Sequence, residues 1–291
     1  MNAFRRKIIA ACLGSGLFLA PQISFSGDRP SEGIQDNSFL IEEAYNQDPG
    51  VVQHILNISG NLDRRQGPDD KSLSLVFTQE WPVFSQAHQF SYTLPYSLVD
   101  GEGGRDNGLE DILLNYRYQL TMESGSRPAI APRLSLILPT GDEKKGFGTG
   151  KVGYQFNLPV SKVLNDRWSV HFNAGTTVTP DVKGHDLTGY NLGASAIYAV
   201  SPTFNVLVEG VTTWDEEVDD LGQRDRSFSA VISPGIRYAV NLPNDAQFVT
   251  GIAAPIGLSS DAPDYGVFLY FSFEHSFLRK PSPVARQFSG K

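Results

Sequence analysis

The sequence predicts an all-β fold: a transmembrane, antiparallel, up-and-down β-barrel of about twelve strands, preceded by an N-terminal signal peptide. Three observations lead to this prediction. From Val51 onward apolar and polar residues alternate with a period of two, aromatic residues recur near the ends of the alternating segments, and short connections alternate with long ones. A β-sandwich in water also alternates, so the aromatic ends and the unequal connections decide for a membrane barrel.

Twelve segments show the alternation, and each is long enough to cross the apolar core of a bilayer, which takes about 9–11 residues of tilted strand. In one of them Val152, Tyr154 and Phe156 fall on one face, while Gln155 and Asn157 fall on the other. The predicted strands are 51–62, 71–81, 88–97, 109–121, 129–139, 150–162, 166–179, 188–200, 203–214, 226–240, 246–257 and 265–277.

The connections differ in length at the two ends of the predicted barrel. With the N-terminus in the periplasm, the periplasmic turns are 82–87, 122–128, 163–165, 201–202 and 241–245, and the outer loops are 63–70, 98–108, 140–149, 180–187, 215–225 and 258–264. Short periplasmic turns and long outer loops are typical of bacterial barrels. Pro132, Pro159 and Pro234 lie inside predicted strands, where a missing N–H disturbs the ladder, so we expect bulges or bends there.

The first 26 residues predict a secretory signal peptide rather than a part of the fold. Basic residues at 5–7 precede an apolar run at 8–20, and Ser24 and Ser26 supply the small residues of a cleavage site. A lipoprotein signal ending at Cys12 is the alternative, but too few apolar residues precede that cysteine. The predicted division is therefore 1–26 signal peptide, 27–50 periplasmic or plug segment, 51–277 barrel and 278–291 polar tail.

Composition excludes two classes of protein. The 291 residues carry a formal net charge of −8 without a cluster of Lys and Arg, which disfavours nucleic acid as a partner. No stretch of eighteen apolar residues follows the N-terminus, which disfavours a helical membrane protein. Cys12 is the one cysteine and falls in the predicted signal peptide, so the mature chain suits an oxidising compartment without disulfides. We expect no cofactor.

The predicted location is the outer membrane of a Gram-negative cell envelope, and the expected partners follow from it. Outer-membrane lipid surrounds such a barrel, and the barrel-insertion machinery reads an aromatic strand end such as Phe277, although a polar tail follows here. The acidic run at 215–220 is either solvated or binds divalent cations that bridge to lipopolysaccharide.

The strand faces opposite the lipid side carry the candidate site residues. The candidates for lining the lumen are Glu80, Asp111, Asn115, Arg117, Arg133, His171, Glu209, Arg237 and Glu274. They either pair across a polar interior or form a permeation path, and charges of both signs predict no clean preference for anions or cations. Ser169, His171 and Asn173 share a face, but same-face polar residues occur in any lumen and nucleophile and zinc signatures are absent, so no enzyme is predicted.

Several motifs resemble one bacterial outer-membrane family. They are 38–47, 49–55, 108–112, 116–118 and 132–142, and the resemblance extends over nearly all of the chain after the signal peptide. The family is the "transporter" family named after the meta pathway of phenol degradation. The resemblance implies an outer-membrane barrel that passes small hydrophobic or aromatic solutes, and it assigns no catalytic or binding residue. A structural or interaction barrel with a blocked lumen is the alternative.

Overall fold

The computed structural model describes residues 33–34, 36–63, 70–101, 104–219 and 222–277. In this part of the chain fifteen β-strands form one antiparallel sheet, and the last strand pairs with the first to close it. The strands are β1 (Val51–Asp63), β2 (Asp70–Val83), β3 (Ser85–Gly101), β4 (Gly104–Leu109), β5 (Ile112–Tyr118), β6 (Ala129–Ile130), β7 (Arg133–Leu138), β8 (Gly153–Val163), β9 (Trp168–Val182), β10 (His185–Ser201), β11 (Phe204–Val218), β12 (Arg224–Leu242), β13 (Ala246–Ala253), β14 (Ile256–Gly257) and β15 (Tyr265–Ser276).

Two 3₁₀ turns, Glu143–Lys145 and Pro243–Asp245, are the helical elements of the described residues. No helix in this part of the chain is long and apolar enough to cross a membrane. The predicted signal peptide at 1–26 and the predicted tail at 278–291 lie outside the described residues.

Fifteen strands make twelve transmembrane strands, because three of the twelve are interrupted: β4–β5, β6–β7 and β13–β14. The predicted fold class, a closed twelve-stranded antiparallel barrel, is thus confirmed. The alternation of the sequence requires it, since in hydrocarbon every backbone N–H and C=O must be bonded within the protein, and a closed sheet achieves this.

Each interruption lies opposite a proline of the neighbouring strand. Glu110 donates to the carbonyl of Pro95 (2.9 Å), Ala131 to that of Pro159 (3.2 Å), and Ala254 to that of Pro234 (2.9 Å). A proline has no N–H to return the second bond of such a pair, so the ladder is incomplete at these three points. Pro159 and Pro234 therefore disturb the strand beside them rather than their own, whereas Pro132 lies within the β6–β7 gap itself.

The faces of the barrel are inverted relative to a protein dissolved in water. Large apolar side chains stand outside, such as Leu134 (60% exposed), Phe172 (52%) and Leu192 (51%). Polar side chains are buried inside, and His171 and Glu209 are each 1% exposed. An apolar exterior around a polar interior is the arrangement that a lipid bilayer selects.

Aromatic side chains form a band near each end of this exterior. Trp168 packs on Tyr198 near one end, with ring centroids 5.0 Å apart. Trp214 packs on Phe228 near the other, with centroids 5.1 Å apart. Indole and phenol rings favour the boundary between lipid headgroups and hydrocarbon, so the two bands mark the two membrane interfaces.

The two ends of the barrel differ in their connections. At the short-turn end, where β1 starts and β15 finishes, Phe84 alone joins β2 to β3, and 202–203 joins β10 to β11. At the opposite, long-loop end the described connections include 139–152 and 258–264. The predicted outer loops 98–108, 180–187 and 215–225 were wrong in extent. They are mostly strand, because polar residues beyond the membrane continue the backbone ladder as hairpins.

Candidate functional site

A non-strand segment, residues 36–50, crosses the interior of the barrel in its short-turn half; it is called the inner segment below. Barrel side chains accept hydrogen bonds from its backbone, in place of a strand ladder. These bonds run from Leu40 N to Glu209 Oε1 (3.0 Å), Ala44 N to Ser161 Oγ (2.8 Å), Asn46 N to Gln119 Oε1 (3.0 Å) and Gln47 N to Gln89 Oε1 (2.7 Å). The acceptors stand on β11, β8, just after β5 and on β3, so the segment contacts the wall around its circumference.

Phe39 anchors the inner segment by packing against one side of the wall. Its ring centroid lies 5.6 Å from that of Phe268 and 5.1 Å from that of Tyr270. Gly235 and Gly251 stand beneath the ring, and a Cβ at Gly235 would lie 2.9 Å from Phe39 Cε2. The two glycines therefore form the seat that admits this aromatic ring, which is 5% exposed.

Arg117 is the ionic centre of the contact. Its guanidinium donates to Glu42 Oε1 (3.0 Å) and to Asn46 Oδ1 (2.8 Å). It also donates to the backbone carbonyl of Tyr45 (2.8 Å). Glu42 also accepts from Arg133 Nε (2.9 Å), so one carboxylate of the inner segment bridges two arginines of the wall. A buried charge is tolerated when it is paired and fully hydrogen-bonded, as here.

A second polar cluster lies across the lumen. Arg237 donates to the carbonyls of Asp36 (3.0 Å) and Asn37 (2.7 Å). The Asp36 carboxylate accepts hydrogen bonds from Gln53 (2.5 Å) and from the hydroxyl of Tyr270. The inner segment is thus bound at both of its sides by charged and amide groups of the barrel wall.

The structure brings most of the sequence-predicted site residues to the inner segment. Arg117, Arg133, Glu209 and Arg237 hydrogen-bond to it directly. Nε2 of His171 lies 3.6 Å from a Glu43 carboxylate oxygen. Three more of the predicted residues bond to other side chains or strands of the wall. Glu80 accepts from Gln89 (2.7 Å), Asn115 accepts from Arg133 (2.9 Å), and Glu274 pairs in register with Gln247.

Asp111 belongs to a different place. It lies at the long-loop end, where its carboxylate accepts from the backbone N–H groups of Gly141 (2.9 Å) and Thr149 (3.2 Å). It therefore holds the 139–152 loop rather than the inner segment. Its position in the alternation is the same as that of Asn115, but it stands four residues nearer the rim, beyond the reach of the segment.

The suggested trio of Ser169, His171 and Asn173 does not join into one hydrogen-bonded group. His171 Nδ1 lies 2.8 Å from Ser161 Oγ instead. Asn173 binds the backbone of Glu42, accepting from its N–H (2.9 Å) and donating to its carbonyl (2.8 Å). Ser161 was not singled out from the sequence, although its place in the alternation of β8 puts it on the polar face.

A vestibule of about 290 Å³ lies on the long-loop side of the inner segment. Residues 37–42 of the inner segment form its floor, with Phe39, Leu40 and Ile41 as the apolar members. Hydroxyls and amides of neighbouring strands form most of its walls, together with Glu80 and Arg133. The polar wall residues include Asn57, Thr78, Thr93 and Gln155. The lumen therefore holds a cavity between the wall and the long-loop side of the inner segment.

The fold and the filled lumen define a class: outer-membrane β-barrels with an internal segment. The chain belongs to the family described as "Putative MetA-pathway of phenol degradation", whose model matches residues 71–273. This confirms the resemblance found in the sequence. Comparison with curated protein sequences finds no match.

Three solved structures are similar to this chain to different degrees. An outer membrane channel from Pseudomonas putida F1 is similar with a TM-score of 0.63 and 15% identity, covering 80% of this chain and 98% of that one. The NanC porin gives 0.46 and 9%, covering 77% and 100%, and the CymD monoaromatic hydrocarbon channel gives 0.38 and 11%, covering 80% and 90%. The first similarity shows a shared fold. The TM-scores of the other two are below 0.5 and do not establish one.

Proposed function

We propose that this protein is an outer-membrane channel for small hydrophobic or aromatic solutes, and that the inner segment is its displaceable plug. The observation that supports this most directly is the vestibule beside the inner segment, whose lining includes Phe39, Leu40 and Ile41. Apolar groups in the floor of a polar-walled cavity favour a solute that leaves water readily, since burying apolar surface is favourable by about 25 cal/mol per Å².

The size of the vestibule suits one small aromatic molecule. Its volume is about 290 Å³. An apolar cavity of about 150 Å³ is enough to bind benzene in a protein interior. A single substituted aromatic ring therefore fits above the floor without displacing the inner segment, and its onward passage requires that the segment move.

The way the inner segment is held supports such a movement. Side chains bind it, and within the described residues no ladder ties it to a strand, so it can leave without unzipping the sheet. Gly50 joins it to β1 with a φ of 83°, a backbone conformation that glycine adopts at low cost. We propose Gly50 as the hinge. We further propose that Glu80, Asn115, Arg117, Arg133, His171, Glu209, Arg237 and Glu274 line the lumen as the receptor of the plug.

A structural barrel with a permanently blocked lumen is the second candidate. The observation in its favour is the number of bonds around Arg117 and Arg237, which hold the inner segment from both sides. The two candidates differ in one property, which is whether the segment must move for the protein to work.

A reversible disulfide tests this difference. Ser38 Oγ and Ser195 Oγ lie 2.6 Å apart, so cysteines at these positions are within reach of a disulfide bond. Cys12, in the predicted signal peptide, is the natural chain's one cysteine, so Ser38→Cys/Ser195→Cys introduces a single pair. The matched control is Ser59→Cys/Ser74→Cys, a register pair that joins β1 to β2 and leaves the segment free.

The readout is uptake of a small aromatic solute into proteoliposomes, with single-channel conductance alongside. We expect the oxidised 38/195 protein to lose uptake and to regain it on reduction, while the oxidised control keeps it. Deleting residues 33–49 should raise the conductance of the wild-type barrel. Equal uptake by oxidised and reduced 38/195 protein would contradict a moving plug. Absence of uptake in every form, the deletion included, would favour the structural candidate.

A further inference from the structure

Two histidines meet across the seam where the barrel closes. His54 stands on β1 and His275 on β15, and the register pairs His54 with Phe273 and Val52 with His275. Both side chains are on the outer face, near the short-turn end, and each is partly exposed. His54 lies three residues after the start of β1 and His275 is the penultimate residue of β15, so both stand near the rim rather than at the hydrocarbon centre.

The ring nitrogens have the spacing of two ligands on one metal ion. His54 Nε2 lies 3.3 Å from His275 Nε2. In a tetrahedral site with metal–nitrogen distances of about 2.0–2.1 Å, two ligand nitrogens stand roughly 3.3 Å apart. A single N–H···N hydrogen bond between two neutral rings has a similar length, and an ion would replace its proton once the two rings turn their lone pairs towards it.

The surroundings of the pair hold both rings in the required orientation. Nδ1 of His275 lies 3.3 Å from the carbonyl oxygen of Ser276, which places the proton on Nδ1 and the lone pair on Nε2. The two imidazoles are nearly parallel, 15° apart. His54 stacks between Phe273 at 6.3 Å and Phe77 at 6.4 Å, so its rotamer is fixed by packing.

The other three histidines are engaged differently. His88 Nδ1 is 2.6 Å from the Tyr116 hydroxyl, and His171 is buried beside Ser161. His185 Nε2 lies 3.2 Å from the carbonyl of Gly222. The described residues contain no group of three or more His, Cys, Asp and Glu side chains that could hold a metal ion, so any ion at the seam has two protein ligands and completes its sphere with water.

We propose that His54 and His275 form a two-histidine site for a divalent first-row transition-metal ion, with Zn²⁺ or Cu²⁺ as the fitting chemistry. Neutral imidazole is a preferred ligand of both ions. Because the ligands come from the first and the last strand, the bound ion joins the two edges whose pairing completes the barrel. The bound ion cross-links β1 and β15 on the outer face of the barrel, so the site is separate from the lumen and from solute passage.

The test uses tag-free protein without residues 1–26, refolded in detergent, because a histidine tag would bind the same ions. Cu²⁺ added at one equivalent is examined by electron paramagnetic resonance, which counts coordinated imidazole nitrogens. We expect two nitrogens and a stoichiometry of one. Zn²⁺ at a hundred times its Kd should raise the midpoint of heat-induced barrel unfolding by roughly 5–10 °C.

The variants are His54→Gln and His275→Gln, with His88→Gln as the matched control, since His88 also lies on the outer face near the short-turn end. Either seam substitution should remove the Zn²⁺-dependent shift and reduce the nitrogen count, while the control keeps both. A wild-type spectrum with fewer than two nitrogens, or a shift that persists in both seam variants, would overturn the proposal. The wild-type spectrum decides even where a variant fails to refold.

Discussion

The two halves of the lumen differ in chemistry. In the short-turn half the wall carries charges, and Arg117, Glu209 and Arg237 are buried against the inner segment. In the long-loop half the inward positions around the vestibule carry mainly neutral polar groups, such as Thr78 and Thr93, whose hydroxyls lie 3.1 Å apart across neighbouring strands. Asp111 binds the 139–152 loop there, and Glu80 and Arg133 line the vestibule beside the segment. The vestibule occupies this second half.

The difference indicates what the charges are for. A selectivity filter places rings of one sign along an open path. Here charges of both signs are paired with one another and with the backbone of a segment. Under the proposed function, the charged side chains hold the segment and the neutral side chains face the solute.

The largest expected effect comes from removing the ionic centre. Arg117→Met breaks the bonds to Glu42, Asn46 and Tyr45 at once. Breaking a buried pair costs about 3–5 kcal/mol, and because Glu42 keeps Arg133, we expect the lower end of that range. The population of barrels with an undocked inner segment should rise by roughly a hundredfold. The measurement is the rate at which a maleimide labels a cysteine placed at position 38.

The control is Arg105→Met, whose side chain is exposed and pairs with Asp100 at 2.7 Å in the long-loop region. Exposed pairs contribute about 0–1 kcal/mol, so labelling at position 38 should stay unchanged. If both variants labelled at the same rate, the contrast between the two halves would be wrong.

A smaller effect is expected from filling the seat of Phe39. In Gly251→Ala the added methyl group overlaps the Phe39 ring, and overpacking of this kind costs about 1–3 kcal/mol. Phe39→Leu in the same chain should relieve most of that cost, which a double-mutant cycle on the labelling rate measures. Gly210→Ala is the matched control, because a Cβ there meets nothing within 4 Å. Additive effects at 39 and 251 would contradict direct packing.

The barrel could be predicted from the sequence because the bilayer outside and the polar lumen inside impose a period of two on every strand. The ends of the strands were harder to predict from the sequence. β9 continues to Val182 and β12 starts at Arg224, since pairing of backbone groups outside the membrane does not need alternation. The break opposite Pro95 was missed because the missing N–H acts on the neighbouring strand, which local sequence does not identify.

The site could be predicted only in part, for a related reason. The inward positions of Arg117 and Arg237 follow from alternation. Which of them hold the inner segment depends on depth in the barrel, and this separates Asp111 from Asn115 although both are at equivalent positions. The segment itself shows no periodic pattern, because side chains scattered over many strands bind its backbone.

The smallest effect concerns the long-loop end, where exposed side chains bond the loops to the strands. Asp261, in the 258–264 loop, accepts from the backbone N–H of Phe228 (2.7 Å), and this bond lowers the pKa of the Asp261 carboxyl below its usual value of 3.8. A lowered pKa means that the contribution of this bond to holding the loop is fully present above that usual value and is lost as the pH falls through the lowered one.

Exchange of the Phe228 amide hydrogen, corrected for its intrinsic rate, should therefore stay constant from pH 7 to about 5 and accelerate in stronger acid. Asp261→Asn should weaken protection without a step in acid, whereas Ser260→Ala, which removes the 2.9 Å bond from the Ser260 hydroxyl to Asp261, should keep the step. An acid step of equal size in Asp261→Asn would show that another group holds this loop. The rate of maleimide labelling at position 38 should show no such step in either variant, because separate groups hold the two ends of the lumen.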